Sequence, residues 1–320
     1  MICTSRVKCF SFIASARYLV ILLIAMSLSL EGTPGWTDEP AFDLAANERD
    51  HRPVCIMDAD GGNLRAVIDM GKGRYAGSPR VSPKLQHVAF DVWTPATDST
   101  ASSAKTYVVG IDGSDLVEIG TGSMPTWVPD GRKITFFRFG GSFGLWVVDR
   151  TGEGLERLNN NGNSPRWSPD GKRVAFIRLR DGGVTILDPR TGAETVVASN
   201  RGRLDYRHGL DWSPDGKRLC VQCADPVKQT PEIRLIDVDT GMITIRLAQP
   251  TGHYLSWSPV AAKILFFMKG PKDDFNQLYV LNPDSQDPPE RVAGQPVDRD
   301  NTDASWSPDG KHIVFTSGKP

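Results

Sequence analysis

His208 and His253 are the two side chains of this sequence whose chemistry and spacing fit together best. Each stands four residues before a tryptophan of a repeated motif, so both occupy the same place in neighbouring repeats. Imidazole titrates near neutral pH and is a frequent ligand of zinc and related metals. The pair predicts a pH-sensitive binding site or part of a metal site.

Mostly polar residues occupy the same place in the other repeats. The full set is Gly77, Ser123, Asn163, His208, His253 and Thr302. A zinc or manganese ion would need three or four ligands, and only Asn163 or Asp205 could supplement the two histidines. We predict partner or ligand binding through His208, His253, Asn163, Ser123, Thr302 and Arg207. The alternative is a pair of hydrogen-bonded histidines in a polar channel. No catalytic residue and no cofactor are predicted, apart from a divalent metal held by His208 and His253.

Three other motifs are better explained by structure than by chemistry. Cys220 and Cys223 lie on a predicted strand with no second pair, so they and Cys55 are interpreted as buried thiols. Residues 140–144 match the nucleophile elbow Gly-x-Ser-x-Gly, but no helix pattern follows, which favours a hairpin loop. Residues 58–63 start like a calcium loop without its closing glutamate, which favours an Asp-rich turn.

The motif that organises the chain is Trp-Ser-Pro-Asp-Gly. It begins at Trp167, Trp212 and Trp306, and imperfect copies begin at Val81, Trp127 and Trp257. The copies are 46, 40, 45, 45 and 49 residues apart, a period typical of stacked supersecondary units. Pro, Asp and Gly predict a tight hairpin turn, and the Trp predicts an anchor between neighbouring sheets. A basic residue six positions after each Trp position is interpreted as a solvated flank.

A second signal alternates with the first: an apolar strand that ends in Asp or Asn before a polar turn. Its first copy, at Val54, has no Trp motif before it, and the last Trp motif, at Trp306, has no second signal after it. Joining these two orphan halves gives six units and leaves no open sheet edge. We predict an all-β fold, a six-bladed β-propeller of four-stranded antiparallel blades over residues 51–320, closed by its N-terminal strands.

The run Pro165–Phe176, Pro-Arg-Trp-Ser-Pro-Asp-Gly-Lys-Arg-Val-Ala-Phe, resembles the repeat of TolB-type propellers. The resemblance covers residues 51–320 and implies an extracytoplasmic protein of the bacterial envelope. Full TolB proteins carry an α/β domain before the propeller, whereas only about twenty residues separate the leader from the first strand here. In TolB the propeller binds the peptidoglycan-associated lipoprotein, so the resemblance implies an envelope protein of that kind as partner.

The first thirty residues predict export. Residues 1–29 have basic residues followed by an uncharged run too short to span a bilayer, which predicts a secretory signal peptide, with an uncleaved membrane anchor as the alternative. Residues 30–50 are predicted to be a linker. A net charge of −1 with interspersed acids and bases argues against nucleic-acid binding. After cleavage we expect a periplasmic or otherwise extracytoplasmic monomer with no membrane span.

Three functions remain open at this stage. The first is a non-catalytic binding propeller that holds an envelope protein at one mouth of its channel. The second is a metal-dependent lyase of pectic oligosaccharides, because some proteins with a similar repeat are lyases of this kind. The third is an accessory propeller of a peptidase system.

Overall fold

The computed structural model describes residues 51–96, 103–199, 205–224, 231–249 and 251–319, although nothing is described of the side chains of Asp205, Arg207 and His208. The predicted signal peptide and linker lie outside the described residues. No described helix is long and apolar enough to cross a membrane.

The described residues form twenty-four strands and a 3₁₀ turn, Gly140–Ser142. In chain order the strands are β1 (Val54–Asp58), β2 (Arg65–Ile68), β3 (Tyr75–Val81), β4 (His87–Thr94), β5 (Ser103–Gly110), β6 (Val117–Thr121), β7 (Ser123–Trp127), β8 (Lys133–Arg138), β9 (Gly144–Asp149), β10 (Glu156–Asn159), β11 (Gly162–Trp167), β12 (Val174–Arg178), β13 (Val184–Leu187), β14 (Glu194–Ala198), β15 (Asp205–Trp212), β16 (Arg218–Ala224), β17 (Pro231–Asp237), β18 (Ile243–Ala248), β19 (Ser256–Trp257), β20 (Ile264–Met268), β21 (Gln277–Leu281), β22 (Glu290–Arg291), β23 (Asp300–Trp306) and β24 (His312–Gly318).

The strands form six four-stranded antiparallel sheets around a central channel, which confirms the predicted propeller. Blades 1 to 5 are built from consecutive strands, β3–β6, β7–β10, β11–β14, β15–β18 and β19–β22. Blade 6 has the order β2-β1-β24-β23, with Val54 opposite Thr316 and Asp58 opposite His312. The two orphan halves of the sequence therefore complete one blade, as predicted.

The repeated motif forms the turn between the first and second strands of each blade. Gly171, Gly216 and Gly310 have φ near +70°, the left-handed region that glycine enters without a steric penalty. In blade 4 the Ser213 hydroxyl donates to Asp215 Oδ1 at 2.6 Å and accepts from the Arg218 N–H at 2.8 Å. This network satisfies the polar groups of the turn and fixes where the second strand starts.

The repeated tryptophans pack between neighbouring blades. Trp127, Trp212 and Trp257 are at most 6% exposed, and Val81 is buried at the same place in blade 1. Trp127 Nε1 donates to the Arg80 carbonyl at 2.9 Å, and Trp212 Nε1 donates to the Arg166 carbonyl at 3.0 Å. Each of these indoles thus joins its own blade to the inner strand of the preceding one.

In two blades the basic residue after the turn also packs on a tryptophan, which adds a role to the predicted solvated flank. The Arg173 guanidinium lies 4.8 Å from the Trp212 ring centroid, and the Arg218 guanidinium lies 5.1 Å from the Trp257 ring centroid. Each arginine therefore covers the tryptophan of the next blade, because a cation is attracted to the face of an indole ring.

The other motifs adopt the structures expected of them. Cys55, Cys220 and Cys223 are buried thiols, as predicted. The Gly140–Ser142 turn joins strands β8 and β9 of one blade. Asn63 Nδ2 donates to Asp58 Oδ2 at 2.6 Å, and the Gly62 N–H donates to Asp60 Oδ1, so the acidic residues organise their own turn.

Removing β1 and β2 tests the closure. A chain that starts at residue 71 leaves the β24 edge unpaired and exposes the apolar faces of blade 6, so we expect it to unfold or aggregate. A chain that starts at residue 51 is the reference, and size-exclusion chromatography with thermal melting is the measurement. A monomer of unchanged melting temperature would contradict the closure.

Truncating the tryptophans tests their packing role. Trp212→Ala should lower the free energy of unfolding by about 3–5 kcal/mol, the range for removing a large buried aromatic. Trp306 is partly exposed and its Nε1 has no partner among the described residues, so Trp306→Ala should cost less. Denaturant unfolding gives both values. Equal losses, or none for Trp212→Ala, would show that indole burial does not hold the blades together.

Candidate functional site

Ser123, Asn163, Arg207, His208 and Thr302 lie on inner strands, the strands that end at the tryptophan of the motif, whereas His253 lies in the loop three residues before β19. His253 Nδ1 lies 3.0 Å from Gln222 Oε1 of the neighbouring blade, and Thr302 Oγ1 lies 2.9 Å from Thr316 Oγ1 of its own blade. Ser123 is fully buried, and Asn163 Oδ1 is buried without a described partner. His208 and Arg207 belong to β15, but their side chains lie outside the described part. None of the described hydrogen bonds joins these side chains to one another.

A β-bulge decides which inner-strand side chains face the channel. The register shifts between Gly77 and Arg80, Ser123 and Thr126, Asn163 and Arg166, Tyr206 and Leu210, and Thr302 and Ser305. Four non-glycine residues in these bulges have φ between 51° and 57°: Ser78, Met124, Ser164 and Asp303. Because a bulge places two residues opposite one, it re-aims the side chains before the tryptophan.

Contacts that cross the channel identify the residues that face it. Arg80 of blade 1 reaches Asp211 of blade 4, directly opposite, with 3.6 Å between Nη1 and Oδ2. The Ser78 hydroxyl of blade 1 donates to the Tyr254 hydroxyl of blade 5 at 2.9 Å. The channel is therefore lined by the residues one and three positions before the tryptophan.

A cavity of about 410 Å³ opens at the tryptophan end of the channel. We call it the Trp-rimmed mouth. All six blades contribute to its wall: Arg80, Val81, Pro83, Thr126, Trp127, Pro129, Arg166, Trp167, Ser168, Pro169, Asp211, Trp212, Pro214, Ser256, Trp257, Pro259, Trp306, Ser307 and Pro308. The tryptophans and prolines make an apolar rim, and the charged residues are confined to the residues just before the tryptophans.

The charged part of the wall is the cationic floor, which consists of Arg80, Arg166 and Asp211. Arg80 also donates to Ser256 Oγ and to the Leu255 carbonyl, both at 3.3 Å. Arg166 is 3% exposed, and its burial, with the nearby Arg80 charge, lowers the pKa of its guanidinium to about 9. The Asp211 charge opposes that shift. Two cations and one carboxylate leave this floor with one excess positive charge.

Two carboxyl groups, the buried Asp91 and the half-buried Asp303, lie beside the inner strand of blade 1. Burial raises the pKa of Asp91 to about 6, although Asp91 Oδ2 accepts the Met124 N–H at 2.7 Å. Burial also raises the pKa of Asp303 to about 7, with a further increase from Asp91 and an opposing effect of Arg52. A Cβ at Gly77 would lie 2.7 Å from Asp91 Oδ1 and 3.4 Å from Asp303 Oδ2, so the carboxyls flank this glycine. They form an acidic pair that titrates near neutral pH.

The arrangement offers apolar rings and hydrogen-bond donors to a ligand. Among the described residues no group of three or more His, Cys, Asp and Glu side chains is placed to hold a metal ion. The Trp-rimmed mouth combines apolar rings with donors in its floor, the composition expected of a recognition pocket. The prediction for His208 and His253 stays a prediction.

Sequence reasoning missed the cationic floor and the acidic pair. Arg80, Arg166 and Asp211 all stand one residue before the tryptophan position, and aligning that column of the repeats would have displayed three charged and three hydroxyl side chains. Asp91 gives no such signal, because it lies on a second strand among apolar residues.

Comparison with known proteins identifies the fold. No known sequence family matches the chain, and no curated protein matches it either. Among solved structures, a putative TolB from Agrobacterium tumefaciens is 19% identical over 84% of this chain and 99% of that one, with a TM-score of 0.63. The fold is that of the TolB propellers.

Two further structures are similar. TolB from Acinetobacter baumannii is 15% identical over 86% of this chain and 67% of its own, with a TM-score of 0.58. The propeller domain of the Trilobed protease from Pyrococcus furiosus is 17% identical over 78% of this chain and 79% of its own, with a TM-score of 0.49. At these identities the likeness concerns the fold alone.

The acidic pair predicts a pH-dependent stability. The folded-state pKa of Asp303, about 7, lies above its unfolded value, so the native state binds more protons between about pH 4 and pH 7. The free energy of unfolding should therefore fall as the pH rises through this window. Asp303→Asn should reduce that loss by about 1 kcal/mol or more between pH 5 and pH 8, a value discounted because Asp303 is partly exposed.

Asp298→Asn is the matched control. Its hydrogen bond with Arg299 lowers the pKa of Asp298 to about 2, so this carboxyl stays ionised at both pH values. Urea unfolding of the three proteins at pH 5 and pH 8 gives the slopes. An Asp303→Asn slope equal to that of the unmodified protein would mean that Asp303 does not titrate in this range.

Proposed function

We propose that this protein is an exported, non-catalytic binding propeller of the bacterial envelope that holds another envelope protein at the Trp-rimmed mouth. The partner class is the one that the TolB-like repeat implies, a protein of the kind of the peptidoglycan-associated lipoprotein. Export is proposed from the leader-like residues 1–29, and we propose that the protein acts as a monomer.

The Trp-rimmed mouth is the observation that carries this proposal. Its volume, about 410 Å³, lies within the range of about 300–1,000 Å³ that is usual for ligand pockets. Rings of tryptophan and proline offer rigid apolar surface that binds without losing much side-chain entropy. A pocket of this size accepts one or two side chains of a protein partner, while the rest of the partner lies across the turns.

Blade 5 supports a directional contact. Its turn runs Pro259-Val260-Ala261-Ala262 in place of Pro-Asp-Gly, and Val260 is 68% exposed beside the mouth. A second cavity of about 330 Å³ includes Val260 in its wall, together with Arg218 and Asp284. An exposed apolar residue at one blade breaks the pseudo-sixfold symmetry of the rim. A partner could therefore bind in one orientation.

The other two functions receive less support. A lyase metal site would draw on His208 and His253, and zinc or manganese would need at least one further ligand. The peptidase alternative would draw on the Pyrococcus furiosus propeller, whose TM-score is too low to support an argument.

Affinity capture from envelope extract tests the proposal. Val260→Arg places a long charged side chain beside the mouth and should reduce capture of the bound protein at least tenfold. Met242→Arg is the matched control. Met242 is 63% exposed on the β17–β18 turn, and the substitution adds the same positive charge away from the mouth. Mass spectrometry of the captured proteins is the measurement.

The double change His208→Ala, His253→Ala addresses the other end of the inner strands. If only this double variant loses the partner, the binding site is the one predicted from the histidines and not the Trp-rimmed mouth. If Val260→Arg, Met242→Arg and the double variant all capture the same proteins equally, binding occurs through neither end of the channel.

A further inference from the structure

The side chains that line the Trp-rimmed mouth include two arginines and only one carboxylate. Arg80, Arg166 and Asp211 are the charged residues among those that line it. The Asp211 carboxylate is also engaged by the backbone, since the N–H groups of Trp212 and Trp257 donate to its two oxygens at 3.0 and 2.9 Å. Among the lining residues one arginine charge is therefore left without a carboxylate, and the next carboxyl group that interacts with Arg166 is Asp91, outside the lining.

Arg166 is the arginine with unused donors. Its Nη1 donates to the neighbouring Pro165 carbonyl at 2.7 Å, but its buried Nε has no partner among the described residues. Arg80, in contrast, contacts Ser256, Leu255 and Asp211. A buried guanidinium with an unsatisfied N–H is costly unless an acceptor completes its hydrogen bonds.

Trp306 has a second unused donor in the same wall. The indole N–H groups of Trp127, Trp167 and Trp212 donate to Arg80 O, Thr135 Oγ1 and Arg166 O, respectively. Trp306 Nε1 is buried and has no partner among the described residues. Arg166 and Trp306, each with one buried donor that has no partner among the described residues, thus line the same cavity.

We propose that the Trp-rimmed mouth binds a carboxylate carried by a peptide segment of the partner protein. The carboxylate accepts from the Arg166 guanidinium, and the apolar part of the same peptide packs against the tryptophan and proline rings of the rim. This inference rests on the proposed function and adds to it the chemical group that the partner presents.

Charge and geometry favour a carboxylate over a phosphate. A carboxylate carries one negative charge, whereas a phosphate group carries about −1.5 to −2 at neutral pH. The smaller charge suits arginines that already interact with Asp211 and Asp91. The planar guanidinium donates two parallel N–H groups to a carboxylate. The apolar rim favours a peptide over a small hydrophilic anion, because rings of this kind gain little from contact with a hydrated ion.

Binding of small probes to the whole protein tests the proposal. Four probes are titrated at constant ionic strength: an acetylated Gly-Phe-Gly peptide with a free C-terminus, its C-terminal amide, an amidated acetyl-Gly-Glu-Gly peptide, and inorganic phosphate. Tryptophan fluorescence and titration calorimetry report binding. We expect at least one carboxylate peptide to bind about tenfold or more tightly than the amide, the loss that follows when a hydrogen bond to a charged group is removed. The free C-terminus and the glutamate peptide distinguish the two sources of the carboxylate.

Three variants locate the binding. Arg166→Gln should weaken binding of the carboxylate peptide about tenfold and leave the amide unchanged. Asp211→Asn removes the opposing charge while keeping an oxygen acceptor, and it should tighten carboxylate binding. Arg246→Gln is the matched control, since Arg246 is another buried arginine, bonded to the carbonyls of Asn282 and Asp287 outside the cavity. If the Arg166→Gln variant does not fold, the Asp211→Asn variant and the comparison of the acid peptide with its amide still test whether the mouth binds a carboxylate.

Any of four results would overturn the proposal. The acid and the amide peptides could bind with equal affinity, or no peptide could bind. Phosphate could bind more tightly than the carboxylate peptides, or Asp211→Asn could fail to tighten carboxylate binding. Such a result leaves the proposed function standing if Val260→Arg still blocks capture. The reverse result is also distinguishable. If the carboxylate peptides bind as expected but the Val260→Arg variant still captures the partner, the cavity recognises a carboxylate and the partner protein binds elsewhere.

Discussion

The rest of the structure depends on the indole ring that five of the six blades insert against their predecessors, with Val81 in its place in blade 1. A propeller blade has apolar residues on both faces, so neighbouring sheets must be held at a fixed angle for the ring to close. Trp127 and Trp212 achieve this by burying the ring and donating Nε1 to a carbonyl of the preceding inner strand. Packing and a directed hydrogen bond then fix the same contact, so the blades cannot slide past one another without losing both.

The same contact couples scaffold and site. The carbonyls that accept these indole hydrogen bonds belong to Arg80 and Arg166, whose side chains form the cationic floor. The backbone of each arginine therefore holds the next blade while its guanidinium faces the channel. Rigid placement of this kind favours recognition, because little ordering of the floor remains to be done when a ligand binds. The acidic pair lies beside Gly77, where burial raises both carboxyl pKa values more than the charges of Arg166 and Arg52 lower them.

Much of the architecture could be predicted because local rules repeat. Pro, Asp and Gly specify the turn, the spacing specifies the unit, and the orphan halves around Val54 and Trp306 specify the closure. The sequence did not show which inner-strand side chains face the channel, because this depends on the β-bulges. The left-handed positions of these bulges hold residues such as Ser78, Met124 and Asp303 and not glycine, so no sequence pattern marks them. Cross-channel pairs such as Arg80 with Asp211 join blades far apart in sequence, and no local pattern encodes them.

The pairing of β1 with β24 also sets the order in which the protein can fold. Val54 lies opposite Thr316, so this contact spans nearly the whole described chain and contributes strongly to its contact order. Blades 1 to 5 use neighbouring segments and can form as the chain emerges from the ribosome or a translocation pore. Blade 6 must wait for its last strand. Until then the β1 edge has no partner, and the incomplete ring carries the kind of unpaired edge that aggregates or recruits chaperones. Ring closure is therefore a late and cooperative event, with a kinetic barrier that the separate blades do not have.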